Sequence, residues 1–208
     1  MRVGLVAGRE QIELREFPDP APEPEKAVVQ VSHCGICGTD LHAFDQGGFY
    51  NPAICGHEWA GTISALGAGV EHLHEGDRVG IGIAPACGRC RECRSGDAAH
   101  CGAALMGMLG VGPLAAPHGG FASAIGIEAA RLYPLHPKVS DLEAAMLEPA
   151  TVAIHALRRA PLRLGDSVVV LGAGPIGLLV LQCAFIAGAG SVHVYVYSPM
   201  KQFTSKFR

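Results

Sequence analysis

Eight cysteines and ten histidines stand in this chain of 208 residues, and the cysteines are not spread evenly. Four fall in one run, Cys87-Gly-Arg-Cys90-Arg-Glu-Cys93-Arg-Ser-Gly-Asp-Ala-Ala-His-Cys101. A C-x2-C pair lets one turn of backbone present two sulfurs to one ion, and four thiolates close a tetrahedron around zinc. With no coordination position left open, a zinc held by Cys87, Cys90, Cys93 and Cys101 is structural. Arg89, Arg91 and Arg94 raise the alternative of a nucleic-acid finger, but a net charge of −3 and the lack of aromatic residues in the run weigh against it.

A second constellation is dispersed. Cys34-Gly-Ile-Cys37-Gly-Thr39-Asp40-Leu-His42 is followed by Gly56-His57-Glu58 and, far downstream, by Glu148. A catalytic zinc takes about three protein ligands of mixed nitrogen, sulfur and oxygen type and leaves one position open. Cys37, His57 and a carboxylate make such a set. Cys34, Cys55 and Cys183 find no metal partner by spacing and read as small packed residues.

The third pattern is Gly172-Ala-Gly174-Pro175-Ile176-Gly177, between the apolar run Ser167–Leu171 and an apolar helical stretch. In a strand-turn-helix the first glycine makes the turn, the second lets backbone approach a pyrophosphate, and the third allows close helix packing. The helix N-terminus then holds the negative charge.

The elements that must position these groups are of two textures. From Arg9 to about Arg131 short apolar runs alternate with Gly, Pro and Asp: Ala27 to His33, Gly61 to Gly67 and Asp77 to Ile83. These predict a mostly β domain, with Pro18 to Glu25 as a surface connection. At Ser140 the texture changes. Ser140 and Glu143 form a capping box, and Leu142, Ala145 and Met146 follow at helical spacing. Pro149 predicts a break and a second helix to about Arg159, leaving Glu148 at the junction. A carboxylate buried there is costly unless something pairs with it. Beyond come a strand (Ser167 to Leu171), a helix opened by Pro175, a glycine turn (Gly188 to Gly190) and a strand (Val192 to Tyr197).

Length and composition fit one large globular domain or about one and a half ordinary ones. Hydrophobic residues are 49% and charged residues 17%, which supports a packed core and argues against disorder. The slightly acidic balance gives no footprint for nucleic acid or an anionic membrane, so a small molecule is the expected partner. The apolar stretch after Asp166 is cut by two glycine clusters and Pro175 into pieces shorter than the roughly 20 residues of a span. The start, MRVGLVAGRE, lacks a signal-peptide core of about 7 to 15 apolar residues. Cytoplasmic placement is expected.

Taken together, CGICGTDLH (Cys34 to His42), GHEWAG (Gly56 to Gly61), GDRVG (Gly76 to Gly80), the four-cysteine loop, GGFA (Gly119 to Ala122), LEPATVAIHAL (Leu147 to Leu157) and GDSVVVLGAGPIG (Gly165 to Gly177) resemble the zinc-dependent medium-chain dehydrogenase/reductase family. Its members include alcohol, sorbitol, butanediol and threonine dehydrogenases. The resemblance runs from about Met1 to Val194. It implies an α/β protein with a mostly β part: a GroES-like catalytic domain, residues 1–148, followed by the start of a Rossmann dinucleotide-binding domain, residues 149–208.

By position, the resemblance implies two zinc ions per chain, with Cys37, His57, Glu58 and Glu148 around the catalytic one. Glu58 matches a carboxylate that can bind or leave the metal. Glu148 falls where alcohol dehydrogenases carry a cysteine and where polyol, butanediol and threonine dehydrogenases carry glutamate. An oxygen ligand is harder than thiolate and suits a more labile zinc. Thr39 then takes the substrate proton, His42 passes it to solvent, and Asp40 orients His57. Zinc acts as a Lewis acid on the alcohol oxygen, and the carbon gives hydride to nicotinamide. The implied substrate is a secondary alcohol, diol or polyol, or the ketone in reverse, and the implied assembly is a homo-oligomer.

The sequence departs from the family in its last third. Only the first strand, helix and second strand of a Rossmann domain are expected, so the chain reads as truncated within that domain. The acidic residue that binds ribose hydroxyls about 20 positions after the glycines is replaced by Val196 or Tyr197. Lys201 could meet a 2′-phosphate, which leaves NAD and NADP both open. Two readings follow: a working dehydrogenase, or a zinc-binding fragment unable to use nicotinamide.

Overall fold

The computed structural model describes residues 1–46, 53–82, 84, 86–104 and 119–196. They divide into two compact units, Met1–Met146 and Leu147–Arg208. The division falls ahead of the boundary expected after Glu148, so Glu148 belongs to the second unit.

The first unit holds strands β1 (Arg2–Gly8), β2 (Gln11–Glu16), β3 (Lys26–Gly35), β4 (Ala53–Ile54), β5 (Glu58–Leu66), β6 (Arg78–Ile81), β7 (Ala124–Glu128) and β8 (Leu132–Pro134). Helices α1 (Gly38–Gln46), α2 (Arg91–Arg94) and α3 (Asp141–Ala145) lie between or after them. Two sheets form, β7-β3-β5-β6-β8 and β2-β1-β4. Every ladder in them is antiparallel.

β3 is the hub of the larger sheet, paired with β5 on one side and β7 on the other. Its β-branched and small residues suit a pleated surface. Ala27 and Val29 are buried with Trp59, Ile63, Val79, Ile125 and Ile127 in one core. Consecutive burial at Ala27, Val28 and Val29 departs from strict alternation, and a register shift between Val28 and Val29 accounts for it. At the far end of β3, Cys34 faces Trp59 and Gly35 faces Glu58. That pairing sets the exit of β3, which leads to Cys37, beside the entry of β5, which follows His57.

The capping box at Ser140 is formed: the Glu143 amide donates to Ser140 Oγ at 3.3 Å, and the Ser140 amide donates to Glu143 Oε2 at 2.8 Å. Arg78 on β6 ties this helix start to the sheet. Its Nε donates to Asp141 Oδ1 at 2.8 Å and its Nη2 to the Val139 carbonyl at 2.7 Å. The helix break falls at Met146, not at Pro149. Pro149 sits in the first turn of α4 (Leu147–Arg159), where its missing N–H has no intrahelical partner to lose.

The second unit continues from α4 with β9 (Ser167–Leu171), α5 (Pro175–Ile186) and β10 (Ser191–Tyr195). β9 and β10 pair in parallel, Val168 with Val192 and Val170 with Val194. A parallel pair requires a crossover, and α5 supplies it. Val170, Ala184 and Val192 are buried between the helix and the strands. Tyr197 and Lys201 lie outside the described residues. Among the described residues no helix is long and apolar enough to cross a membrane.

Ile125 is fully buried on β7 in the main core. Ile125→Ala is expected to destabilise the first unit by about 2–5 kcal/mol, read as a lower urea midpoint with an unchanged slope.

Candidate metal centres and nucleotide turn

Cys37, His57 and Glu58 come together in the first unit, each with a ligand atom within 4.8 Å of the others. Cys37 lies one residue before α1, and His57 one residue before β5. The loop that turns His57 inward rests on glycines. Gly56 has φ +96°, a left-handed value, and a Cβ there would stand 2.8 Å from Cys34 Sγ and 2.9 Å from Phe121 Cδ1. The GGFA segment backs this loop: Gly120 N donates to the Gly56 carbonyl at 2.7 Å and Phe121 N to the Cys55 carbonyl at 2.9 Å.

Asp40 is buried and binds both ligand-bearing segments. Its Oδ2 accepts the Cys37 amide at 2.8 Å, and its Oδ1 accepts the Gly56 amide at 3.0 Å. His57 Nδ1 stands 3.8 Å from Asp40 Oδ1, beyond a hydrogen bond. The hydrogen bonds of Asp40 thus go to backbone, where the sequence pointed to His57. Burial raises the Asp40 carboxyl above the usual carboxylate range, and the two amides and His57 offset this only in part.

His57 is 2% exposed and its Nδ1 has no hydrogen-bond partner. A buried imidazole without a partner is costly, and a metal on the ring is one way such a group is satisfied. Burial also raises Glu58, against the pull of His57 and a hydrogen bond from the Cys37 thiol. One thiol, one imidazole and one carboxylate suit a divalent zinc ion with a position left open. Thr39 is half-buried in the first turn of α1, its Oγ1 3.8 Å from Cys37 Sγ. His42 is exposed, three residues on along the same helix. Cys34 and Cys55 are pushed up to about 12, mainly by burial, which leaves them as inert thiols.

The four cysteines Cys87, Cys90, Cys93 and Cys101 also converge within 4.8 Å. Backbone amides aim at their sulfurs: Cys87 N at Cys101 Sγ, 3.3 Å; Cys90 N at Cys87 Sγ, 3.4 Å; Cys93 N at Cys90 Sγ, 3.4 Å. The Cys87 amide leads in pulling Cys101 down to about 6. For Cys90 the Cys93 amide pulls down, but hydrogen bonds with neighbouring side chains and burial push it up to about 12. Four converging sulfurs, three of them facing backbone amide donors, fit a tetrahedral zinc site. All eight cysteines are free thiols.

In the second unit the three glycines divide their work. Gly172 takes φ +108° after β9, and its amide donates to the Tyr195 carbonyl at 2.8 Å. Gly174 caps α5, with open space where a Cβ would stand, and Pro175 occupies the first turn next to Ile176. A Cβ on Gly177 would overlap the Gly172 carbonyl and stand 3.5 Å from Val170 Cγ1. The turn is tight, open outward and closely packed behind, as a pyrophosphate cradle requires. Where β10 ends, Tyr195 and Val196 supply no carboxylate.

Residues 23–137 match the alcohol dehydrogenase GroES-like domain. The chain belongs to the zinc-dependent medium-chain dehydrogenase/reductase family. It is 32% identical to sorbitol dehydrogenase of Bacillus subtilis over 99% of its own length and 58% of that protein's. Its fold is similar to galactitol-1-phosphate dehydrogenase of Escherichia coli, with a TM-score of 0.82, 31% identity, and coverage of 96% of this chain and 57% of that one. It is similar also to a zinc-binding dehydrogenase of Sinorhizobium meliloti bound to NADP, with a TM-score of 0.83, 27% identity, and coverage of 96% and 57%. The chain therefore spans between half and two thirds of the length of these relatives.

Glu148 sits in the first turn of α4, half-buried, where the sequence pointed to burial; its carbonyl accepts the Thr151 hydroxyl at 2.7 Å. The backbone clamp of Asp40 and the seat behind Gly56 were not visible in the sequence. An aspartate three residues after Cys37, at the start of a helix, was the one available signal.

Asp40→Ala leaves the Cys37 and Gly56 amides without their acceptor, so stability in the presence of a chelator should fall by about 1–3 kcal/mol per amide left unsatisfied. Chelator-treated chains compared by urea unfolding give the value.

Proposed function

We propose that this chain carries the metal centre and the nucleotide turn of a zinc-dependent, NAD(P)-linked dehydrogenase. Its reaction is oxidation of a secondary alcohol, diol or polyol, or reduction of the ketone. The observation that carries this reading is the convergence of Cys37, His57 and Glu58 around one point. Zinc held by these three supplies Lewis acidity toward an alcohol oxygen, while a nicotinamide dinucleotide supplies the hydride acceptor.

The chain's own groups handle the proton and the placement. Thr39 stands beside Cys37, and in this reading its hydroxyl receives the proton of a substrate alcohol. His42 lies three residues on, near Thr39 on the helix surface, and is exposed, so it hands that proton to water. Asp40 holds the Cys37 and Gly56 backbones together while this happens. The four-cysteine cluster holds a second zinc without catalytic duty.

Gly172, Gly174, Pro175, Ile176 and Gly177 receive the dinucleotide pyrophosphate at the start of α5. The polyol names of the relatives, and a glutamate at position 148, support a substrate with neighbouring hydroxyls over a simple primary alcohol. NAD and NADP both remain in the proposal, because no carboxylate stands at the described end of β10 to select the free ribose hydroxyl. That same position favours the second reading, a zinc-binding chain that does not seat nicotinamide productively.

Two measurements test the reading. Elemental analysis of the purified chain should give about two zinc ions, falling to about one in Cys90→Ser, as a four-thiolate site predicts. Fluorescence titration with NADH and NADPH should then show saturable binding of one of them, followed by turnover of a diol or polyol. Two bound zincs with no dinucleotide binding would establish the second reading. If turnover is seen, Thr39→Val should lower it by about 10²–10⁴-fold with zinc content unchanged.

A further inference from the structure

Gly35 closes β3 and stands directly opposite Glu58, the first residue of β5. Nothing in its backbone demands glycine, since it is absent from the glycines with positive φ. What its position lacks is room. A Cβ built on Gly35 would overlap Glu58 Oε2, and it would stand 3.1 Å from Glu58 Cβ and 3.4 Å from Glu58 Cδ. The Glu58 side chain thus lies over the bare α-carbon of Gly35. By contrast, Gly38 on the other side of Cys37 has nothing within 4 Å of a built Cβ.

We propose that Gly35 is a positioning residue for Glu58: its missing side chain is the seat that keeps the Glu58 carboxylate beside Cys37 and His57. The proposal rests on the metal centre argued above. A glutamate side chain has three rotatable bonds, and a half-buried carboxylate gains hydration by turning outward. Something must hold it in. The antiparallel pairing of Gly35 with Glu58 places the seat under the side chain. A methyl group on residue 35 fills that seat. The atom it displaces first is the end of a flexible side chain, so the strand pair can survive while the carboxylate is re-aimed.

The test is a Co²⁺ titration of the full chain whose four-cysteine cluster is already filled with Zn²⁺, followed by the d–d absorption of the ion at Cys37, His57 and Glu58. Wild type should take up one Co²⁺. Gly35→Ala should weaken that uptake by about tenfold or more and change the band, as loss of a supporting contact does at metal sites. Glu58→Ala should weaken it as well, and Gly35→Ala added to Glu58→Ala should then have little further effect. An equal loss from Gly35→Ala in both backgrounds would assign glycine a general backbone role and overturn the proposal. So would unchanged uptake in Gly35→Ala. If Gly35→Ala does not fold, the double variant decides: recovery of folding traces the overlap to Glu58, and failure overturns the seat. Absence of Co²⁺ uptake by folded wild type would instead defeat the metal reading, and the seat with it.

Discussion

One buried carboxylate joins the two segments on which the candidate metal centre depends. Asp40 accepts a backbone amide from Cys37 and another from Gly56, so a single side chain spans the residue before α1 and the residue before His57. These are charge-assisted bonds in a site where burial is nearly complete, which makes them strong and makes their absence costly. The metal donors themselves bring no such constraint: a thiol, an imidazole and a carboxylate held close together gain little until an ion joins them. The protein therefore fixes their backbones first.

The same economy runs through the surrounding sheet. β3 and β5 pair along their whole length, and the last two pairs, Cys34 with Trp59 and Gly35 with Glu58, bring the ligand-bearing loops alongside each other. Trp59 is nearly fully buried and anchors the entry of β5. Glycines at 56, 119 and 120 let three stretches of chain approach more closely than side chains would permit: a Cβ on Gly120 would stand 2.5 Å from Trp59 Cδ1. A rigid scaffold of strands thus carries a functional group on its loops, the arrangement by which loops acquire precision.

The four-cysteine cluster and the nucleotide turn are more local. In the first, three amides point at sulfurs within a span of fifteen residues, so the chain prepares the site largely with its own short-range geometry. In the second, a left-handed glycine, an open glycine and a closely packed glycine follow one another between β9 and α5. Both features were legible as motifs because their chemistry depends on neighbours in sequence. The capping box at Ser140 belongs to the same class. The break at Met146 instead of Pro149 shows its limit: proline is excluded from a helix interior and tolerated in the first turn, and sequence alone did not say which turn Pro149 would occupy.

By itself the sequence determined the donor types, the spacing of the four cysteines, the glycine turn and the alternation of a mostly β part with an α/β part, since each follows from residue chemistry and local periodicity. The tertiary structure decided what those donors face. Cys37 and His57 are twenty residues apart, and only the register of β3 on β5 brings them within reach of each other and of Glu58. Asp40 lies beside His57, its Oδ1 3.8 Å from Nδ1, and its hydrogen bonds go to two backbone amides that the sequence did not reveal, because a buried carboxylate is satisfied by whichever donors the fold delivers to it. The seat at Gly35 belongs to the same class: a missing side chain acquires meaning only when another strand lays a carboxylate across it.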